Sequence, residues 1–215
     1  MYNSEILYRT IQLSEKVYNE SMYGVDDLYR IKDLSHSMDH KHWVSKRHLA
    51  EKFYELYNHE AGKLLVLGGW YGMMAYQLRR MWTQAKMNIE STDMDPMCEE
   101  FGYELFYDYD IAFSTLNISD SFIITQYTGI VNTSCEHMEQ KDLRSIIERK
   151  NKDCWVAFQS NNYTDLDSHI NCYPTAELFA ESLELDWYAD VDTLDLGDFQ
   201  RFQVIGNYSR IQRIS

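Results

Sequence analysis

The stretch Lys63–Gly72, KLLVLGGWYG, constrains the fold most: a short apolar run stops at a glycine pair, and the chain restarts as the helical pattern YGMMAYQLRRMW. Strand, sharp turn and helix in that order open a site for a nucleotide-type ligand. Glycine accepts φ > 0 and admits a ligand to the backbone, and a helix N-terminus offers unpaired N–H groups to an anion or zwitterion. About twenty residues past the turn, MNIESTDMDP is a second strand-like run ending in Asp93. A carboxylate beyond the end of a second strand can hold a ribose diol. Asp95, followed by Pro96, suits a helix N-cap with proline at the first helical position, which leaves Asp93 for ligand work.

From Lys63 onward strands and helices alternate. KLLVL, MNIEST, IAFSTLNI, GIVNTS and CWVAFQS read as strands, with helices YGMMAYQLRRMW, PMCEEFGYELFY and EQKDLRSIIERK among them. Continuous apolar strands separated by helices argue a parallel sheet covered on both faces. After helix TAELFAESL, the runs DWYADVD and RFQVIGNYS have no helix between them and suggest a hairpin that adds an antiparallel member at the sheet edge. Upstream, Ser4 to Asn19 and Trp43 to Tyr57 carry apolar residues at helical spacing. The expected architecture is α/β: a Rossmann-like, seven-stranded, mostly parallel sheet with an antiparallel C-terminal strand and an N-terminal helical lid. Residues 1–215 are expected to form one domain, with 1–60 the helical extension and 61–215 the core.

At 215 residues and 45% hydrophobic content the chain can bury a core of ordinary size. Its four cysteines are widely spaced, form no CxxC and follow no apolar leader, so they read as reduced thiols in a cytoplasmic protein. No apolar run reaches the roughly 20 residues that span a bilayer. A formal net charge of −14 repels a phosphate backbone, and Lys41, Lys46 and Arg47, or Arg79, Arg80 and Lys86, form no sustained basic run. Nucleic acid is therefore not the expected partner. The nicotinamide fingerprint would need glycine at Leu67, and a Walker-type loop would need Lys-Ser/Thr where Met73 and Met74 follow Gly72.

Taken in order, VLGGWYG, STDMDP, STLNIS and GIVNTSCEHM resemble the motifs of class I methyltransferases that use S-adenosylmethionine, over residues from about Lys63 to Asn207. The resemblance implies that Gly68, Gly69, Trp70 and Gly72 face the methionine end of the cofactor and that Asp93 holds its ribose. It likewise implies that Met94, Asn117 and Ile118 lie at adenine, and that Asn132, Thr133 and Ser134 line the methyl-transfer face. The family's acid two residues before the first glycine is Val66 here, and its middle glycine is Trp70. Contacts to the cofactor's amino-acid end are thus expected from elsewhere, such as the N-terminal helices.

Methyl transfer from a sulfonium needs an aligned nucleophile, and a base only if the acceptor must lose a proton. His137, after the fourth strand, is the candidate base; a loop-capping histidine bonded to backbone is the competing reading. Neither nucleobase-methylating signature, Asn-Pro-Pro-aromatic nor Pro-Cys, stands at Asn132–Cys135, which points to a small-molecule acceptor. Trp43, Lys46, Cys135, Gln159 and Asn161 are candidate acceptor contacts. His36 and His40 would share a helix face, with Asp39 and His42 nearby, and His169 and Cys172 lie together in SHINCY. Each group is short of ligands, and no metal is expected. A non-catalytic cofactor-binding protein, or an acidic protein-interaction module on the same fold, is the alternative reading.

Overall fold

The computed structural model describes residues 4–20, 25–83 and 86–207. Three helices come first: α1 (Ser4–Glu20), α2 (Val25–Ser37) and α3 (His40–Tyr57). Then follow β1 (Gly62–Leu67), α4 (Met73–Met81), β2 (Met87–Asp93), α5 (Pro96–Phe106), β3 (Ile111–Thr115), β4 (Gly129–Asn132), α6 (Gln140–Arg149), β5 (Trp155–Asn161), α7 (Ala176–Leu183), β6 (Trp187–Asp195) and β7 (Gln200–Asn207). The strands make one seven-stranded sheet in the order β3-β2-β1-β4-β5-β7-β6. β1 to β5 pair in parallel, and β7 runs antiparallel to β5 and β6. This is the α/β sheet expected from the sequence.

One detail of the expectation is corrected. The antiparallel strand is not at the sheet edge: β7 lies between β5 and β6, and β6 is the edge strand. Burial explains the order. Every residue of β7 from Arg201 to Asn207 is buried, with Phe202, Val204 and Ile205 in the core, whereas β6 is half-buried or exposed along its length, and a strand covered on both faces suits an inner position. Tyr208 and Ser209, included in the expected last strand, lie outside the described residues.

Alternation along β1 divides the core. Leu64 and Val66 pack on the side of α1 and α3–α5, and Leu65 and Leu67 on the side of α6 and α7; all four are fully buried. The N-terminal helices are fastened to this core. The Arg9 guanidinium of α1 donates to both Asp108 carboxylate oxygens at 2.7 and 2.8 Å and to the Leu105 carbonyl at 2.8 Å. In α3, the Ser45 hydroxyl donates to Gln159 Oε1 at 3.1 Å, and Gln159 Nε2 donates back to the Ser45 carbonyl at 3.2 Å. Among the described residues no helix is long and apolar enough to cross a membrane.

The chain leaves β1 toward β2 and β3, then crosses back to β4 on the other side of β1. The two connections diverge between the carboxyl ends of β1 and β4, and such a divergence opens a crevice in a parallel sheet.

Candidate functional site

The loop after β1 is built by positive-φ residues: Gly68 at 57°, Trp70 at 51° and Gly72 at 91°. Gly69 N–H donates to the Thr92 carbonyl at 2.8 Å, and Trp70 N–H donates to Asp93 Oδ2 at 2.9 Å, which ties the loop to the end of β2. Asp93 Oδ1 accepts the Asp95 N–H at 3.2 Å. Burial raises the Asp93 carboxyl above its ordinary value, with these backbone N–H groups opposing. Asp95 caps α5 through the Met97 N–H at 3.0 Å and pairs with Arg30, as the N-cap reading of the sequence requires. Met94 is 70% exposed beside this end of the sheet.

Across the crevice, Ser134 N–H donates to Asn132 Oδ1 at 2.8 Å, and the Ser134 hydroxyl donates to the Gly68 carbonyl at 3.1 Å. A Cβ on Gly68 would sit 2.8 Å from the Met138 methyl and 3.3 Å from Ser134 Cβ, so glycine there permits the close approach of the two loops. Beyond β4 a 3₁₀ turn, Cys135–His137, carries Glu136 into the interior. Arg201 Nη1 and Asn161 Nδ2 both donate to Glu136 Oε1, the latter at 2.9 Å, and Arg201 Nη2 donates to the Thr133 carbonyl. The β5–β7 register sets Arg201 opposite Asn161. Glu136 and Arg201 are both nearly inaccessible, and Glu136 Oε2, Arg201 Nε and Thr133 Oγ1 are buried without a hydrogen-bond partner among the described residues. Burial alone would raise the Glu136 carboxyl, but the Arg201 charge, helped by His137, holds it below its ordinary value.

These elements enclose a cavity of about 730 Å³, a size that suits a small molecule. Its floor is Trp70, Thr133, Ser134, Glu136 and His137 at the ends of β1 and β4. Asn161 at the end of β5, Tyr163 and His169 beyond it, and Asp198, Phe199 and Arg201 of the β6–β7 hairpin form one wall, and Asp33, His36, Asp39, His42 and Lys46 of the α2–α3 segment form the cover. Trp70 meets that cover: its indole N–H donates to Asp33 Oδ2 at 2.9 Å, where the Tyr71 hydroxyl also donates at 2.7 Å. Lys46 is buried, with Nζ 5.7 Å over the Trp70 ring and no hydrogen bond among the described residues. Burial, reinforced by Arg201, pushes its ammonium down to about 7. Burial and the Lys46 charge push His42 down to about 3, so it is neutral.

A depressed lysine makes stability pH-dependent. Between the folded value near 7 and the ordinary 10.5, the unfolded chain holds a proton that the folded chain does not, so stability rises with pH across that window. Lys46→Met should remove this rise and stabilise the protein by about 1 kcal/mol or more. The gain should be largest below pH 7 and vanish near pH 10.5, as read by urea unfolding across pH.

Of the residues the sequence nominated, Lys46, Trp70, Thr133, Ser134, His137 and Asn161 meet at this cavity. Trp43 does not: it is buried against Tyr76, with ring centroids 6.1 Å apart. Cys135 is fully buried beneath the turn, where burial pushes its thiol well up, and Gln159 is engaged at both ends of its amide by Ser45. Asn132 has its amide directed at Ser134 and Met138. Gly72, the N-cap of α4, faces the Phe113 and Phe106 rings. Asn117 holds a turn through the Ser119 N–H at 3.0 Å, and Ile118 packs against the core under α6. His36 and His40 share no helix, because α2 ends at Ser37 and α3 starts at His40; Asp39 caps α3 and pairs with His36 and His42 instead. Sequence reasoning passed over Arg201 and the meeting of His137 with His169, whose ring centroids are 4.6 Å apart. The CEHM and SHINCY histidines were visible; their convergence was not.

No protein-family profile and no curated protein matches the sequence. Solved structures do. CurJ carbon methyltransferase aligns over 85% of this chain and 58% of its own at 14% identity and a TM-score of 0.66. Coclaurine N-methyltransferase bound to N-methylheliamine and SAH aligns over 72% and 50% at 15% identity and 0.56. MtNAS in complex with MTA and tNA aligns over 94% and 71% at 11% identity and 0.55. The chain thus spans a little over half of the CurJ methyltransferase. It carries the fold of the class I S-adenosylmethionine-dependent methyltransferases.

Proposed function

We propose that the protein transfers a methyl group from S-adenosylmethionine to a small-molecule acceptor. The observation that carries this reading is the cavity at the divergence of β1 and β4, roofed by α2 and α3, with Asp93 at the end of the neighbouring strand. Two features fit the cofactor. A partly desolvated Asp93 carboxylate gains charge-assisted hydrogen bonds from a ribose diol, and the buried Thr133 hydroxyl at the cavity floor, without a partner among the described residues, would pair with a polar amino-acid end. Bound there, the cofactor supplies an electrophilic methyl group on a sulfonium. Trp70 replaces bare loop backbone by an indole face, to which a cation is attracted. Lys46 and Asn161 would contact the acceptor. His137, shifted down by local desolvation against the opposing Glu136 charge, has Nδ1 at 3.1 Å from the Ser168 carbonyl, which leaves Nε2 to take a proton.

Calorimetry with S-adenosylmethionine and its demethylated product tests the reading. Asp93→Ala should weaken binding by about 2 kcal/mol or more, roughly thirtyfold. Asp93→Asn, which keeps an acceptor for the Trp70 N–H, should lose most of that affinity and retain the wild-type melting temperature. Absence of binding by the wild type, or wild-type affinity in both folded variants, would remove the cofactor assignment. The Trp70 indole on the cavity floor favours a second reading, binding without turnover. Release of demethylated product in a metabolite extract separates the two.

A further inference from the structure

We propose that Glu136, His137 and His169 form a site for one divalent transition cation, with Zn²⁺ as the probe, in the wall of the same cavity. One ligand atom from each of the three lies within 4.8 Å of the other two. The two imidazoles are oriented as ligands are: His137 Nδ1 lies 3.1 Å from the Ser168 carbonyl and His169 Nδ1 lies 2.5 Å from the Tyr163 carbonyl. Each ring therefore donates from Nδ1 and presents Nε2 as an acceptor, the tautomer that metal-binding histidines take when a carbonyl holds the other nitrogen. Arg201 and Asn161 engage Glu136 Oε1, and Oε2 is buried with no hydrogen-bond partner among the described residues. Two imidazole nitrogens and one carboxylate oxygen are the donor set of three-ligand catalytic sites that leave a position open. Bonds of about 2.0–2.1 Å require the donors to close to roughly 3.4 Å, within reach of small rotations of the partly exposed imidazoles.

The other three-residue acid–histidine cluster among the described residues lacks these features. Asp39 contacts His36 with Oδ2 at 3.2 Å and His42 with Oδ1 at 3.0 Å, and it also caps α3, so both oxygens are engaged. At the Glu136 group the Arg201 and Lys46 charges oppose a cation and limit its affinity, while the Arg201 hydrogen bond fixes the carboxylate that receives it. An acceptor molecule entering the cavity would reach the open position. The cation would then lower the pKa of a coordinated hydroxyl, a role otherwise left to His137 Nε2.

The experiment needs neither cofactor nor acceptor, so its outcome is separate from that of the methyltransferase reading. Chelator-stripped protein is titrated with Zn²⁺ by calorimetry, and with Co²⁺ by its visible spectrum. The wild type should bind a single equivalent. His137→Ala and His169→Ala should each weaken binding by at least about tenfold, while metal-free melting temperatures stay near wild type. His36→Ala should bind as the wild type does, and His169→Gln serves if an alanine variant does not fold. No binding by the wild type, or affinity unchanged in the His137 and His169 variants, overturns the proposal.

Discussion

Gly72→Val is expected to destabilise the protein by about 3–5 kcal/mol, combining overpacking with a β-branched residue forced to positive φ. Gly72 has φ 91°, and a Cβ there would lie 2.6 and 2.8 Å from two Phe113 ring atoms and 3.2 Å from Phe106. Neither ring has room to retreat, since both are buried in the core between the sheet and α5. At this chain length the loss corresponds to a fall of about 10 °C or more in melting temperature, measured with no ligand present. Phe113→Leu in the same background should restore part of it by opening space, leaving the backbone strain. An unchanged melting temperature combined with lost cofactor binding would instead place Gly72 against the ligand.

Arg201→Ala should cost about 3–5 kcal/mol, because it leaves the Glu136 carboxylate buried without its counter-charge, held by the neutral Asn161 amide. The sign of the pH dependence follows from the pair. In the wild type the Glu136 carboxyl is held below its ordinary 4.5, so its contribution is complete above that value and is lost as pH falls through the lower folded value. Without Arg201 the desolvation that the guanidinium outweighed acts alone and raises the carboxyl, so the penalty grows with pH through and above 4.5 and is relieved in acid. Glu136→Gln in the Arg201→Ala background should recover much of the loss at neutral pH. A double-mutant cycle on urea unfolding measures the coupling, and additive single effects would mean that the two groups do not act as a pair.

The strands, the glycine turn and the Asp95–Pro96 cap were legible because each is encoded within a few consecutive residues: apolar runs for buried strands, positive-φ glycines for a sharp turn, a carboxylate before proline for a helix start. Helical spacing likewise marked α1 and α3. The order of the last two strands was not legible from pattern alone, since β6 and β7 both read as strands and only the buried length of β7 decides which is inner.

At the site the same division holds. Sequence alone determined the strand ends from which a site could be built, and Trp70, Thr133, Ser134, His137 and Asn161 lie at such ends and on the cavity. Trp43, Cys135 and Gln159 do not line the cavity, because helical or strand position does not say which face meets a cavity and which meets a neighbouring element. Only the tertiary structure decided that Arg201, 65 positions from Glu136, reaches it through the β5–β7 register, and that His169 meets His137 across the loop beyond β5. Local preference acts over a turn or a strand, whereas the charges and imidazoles that line this cavity are brought together by strand pairing and packing between segments far apart in the chain.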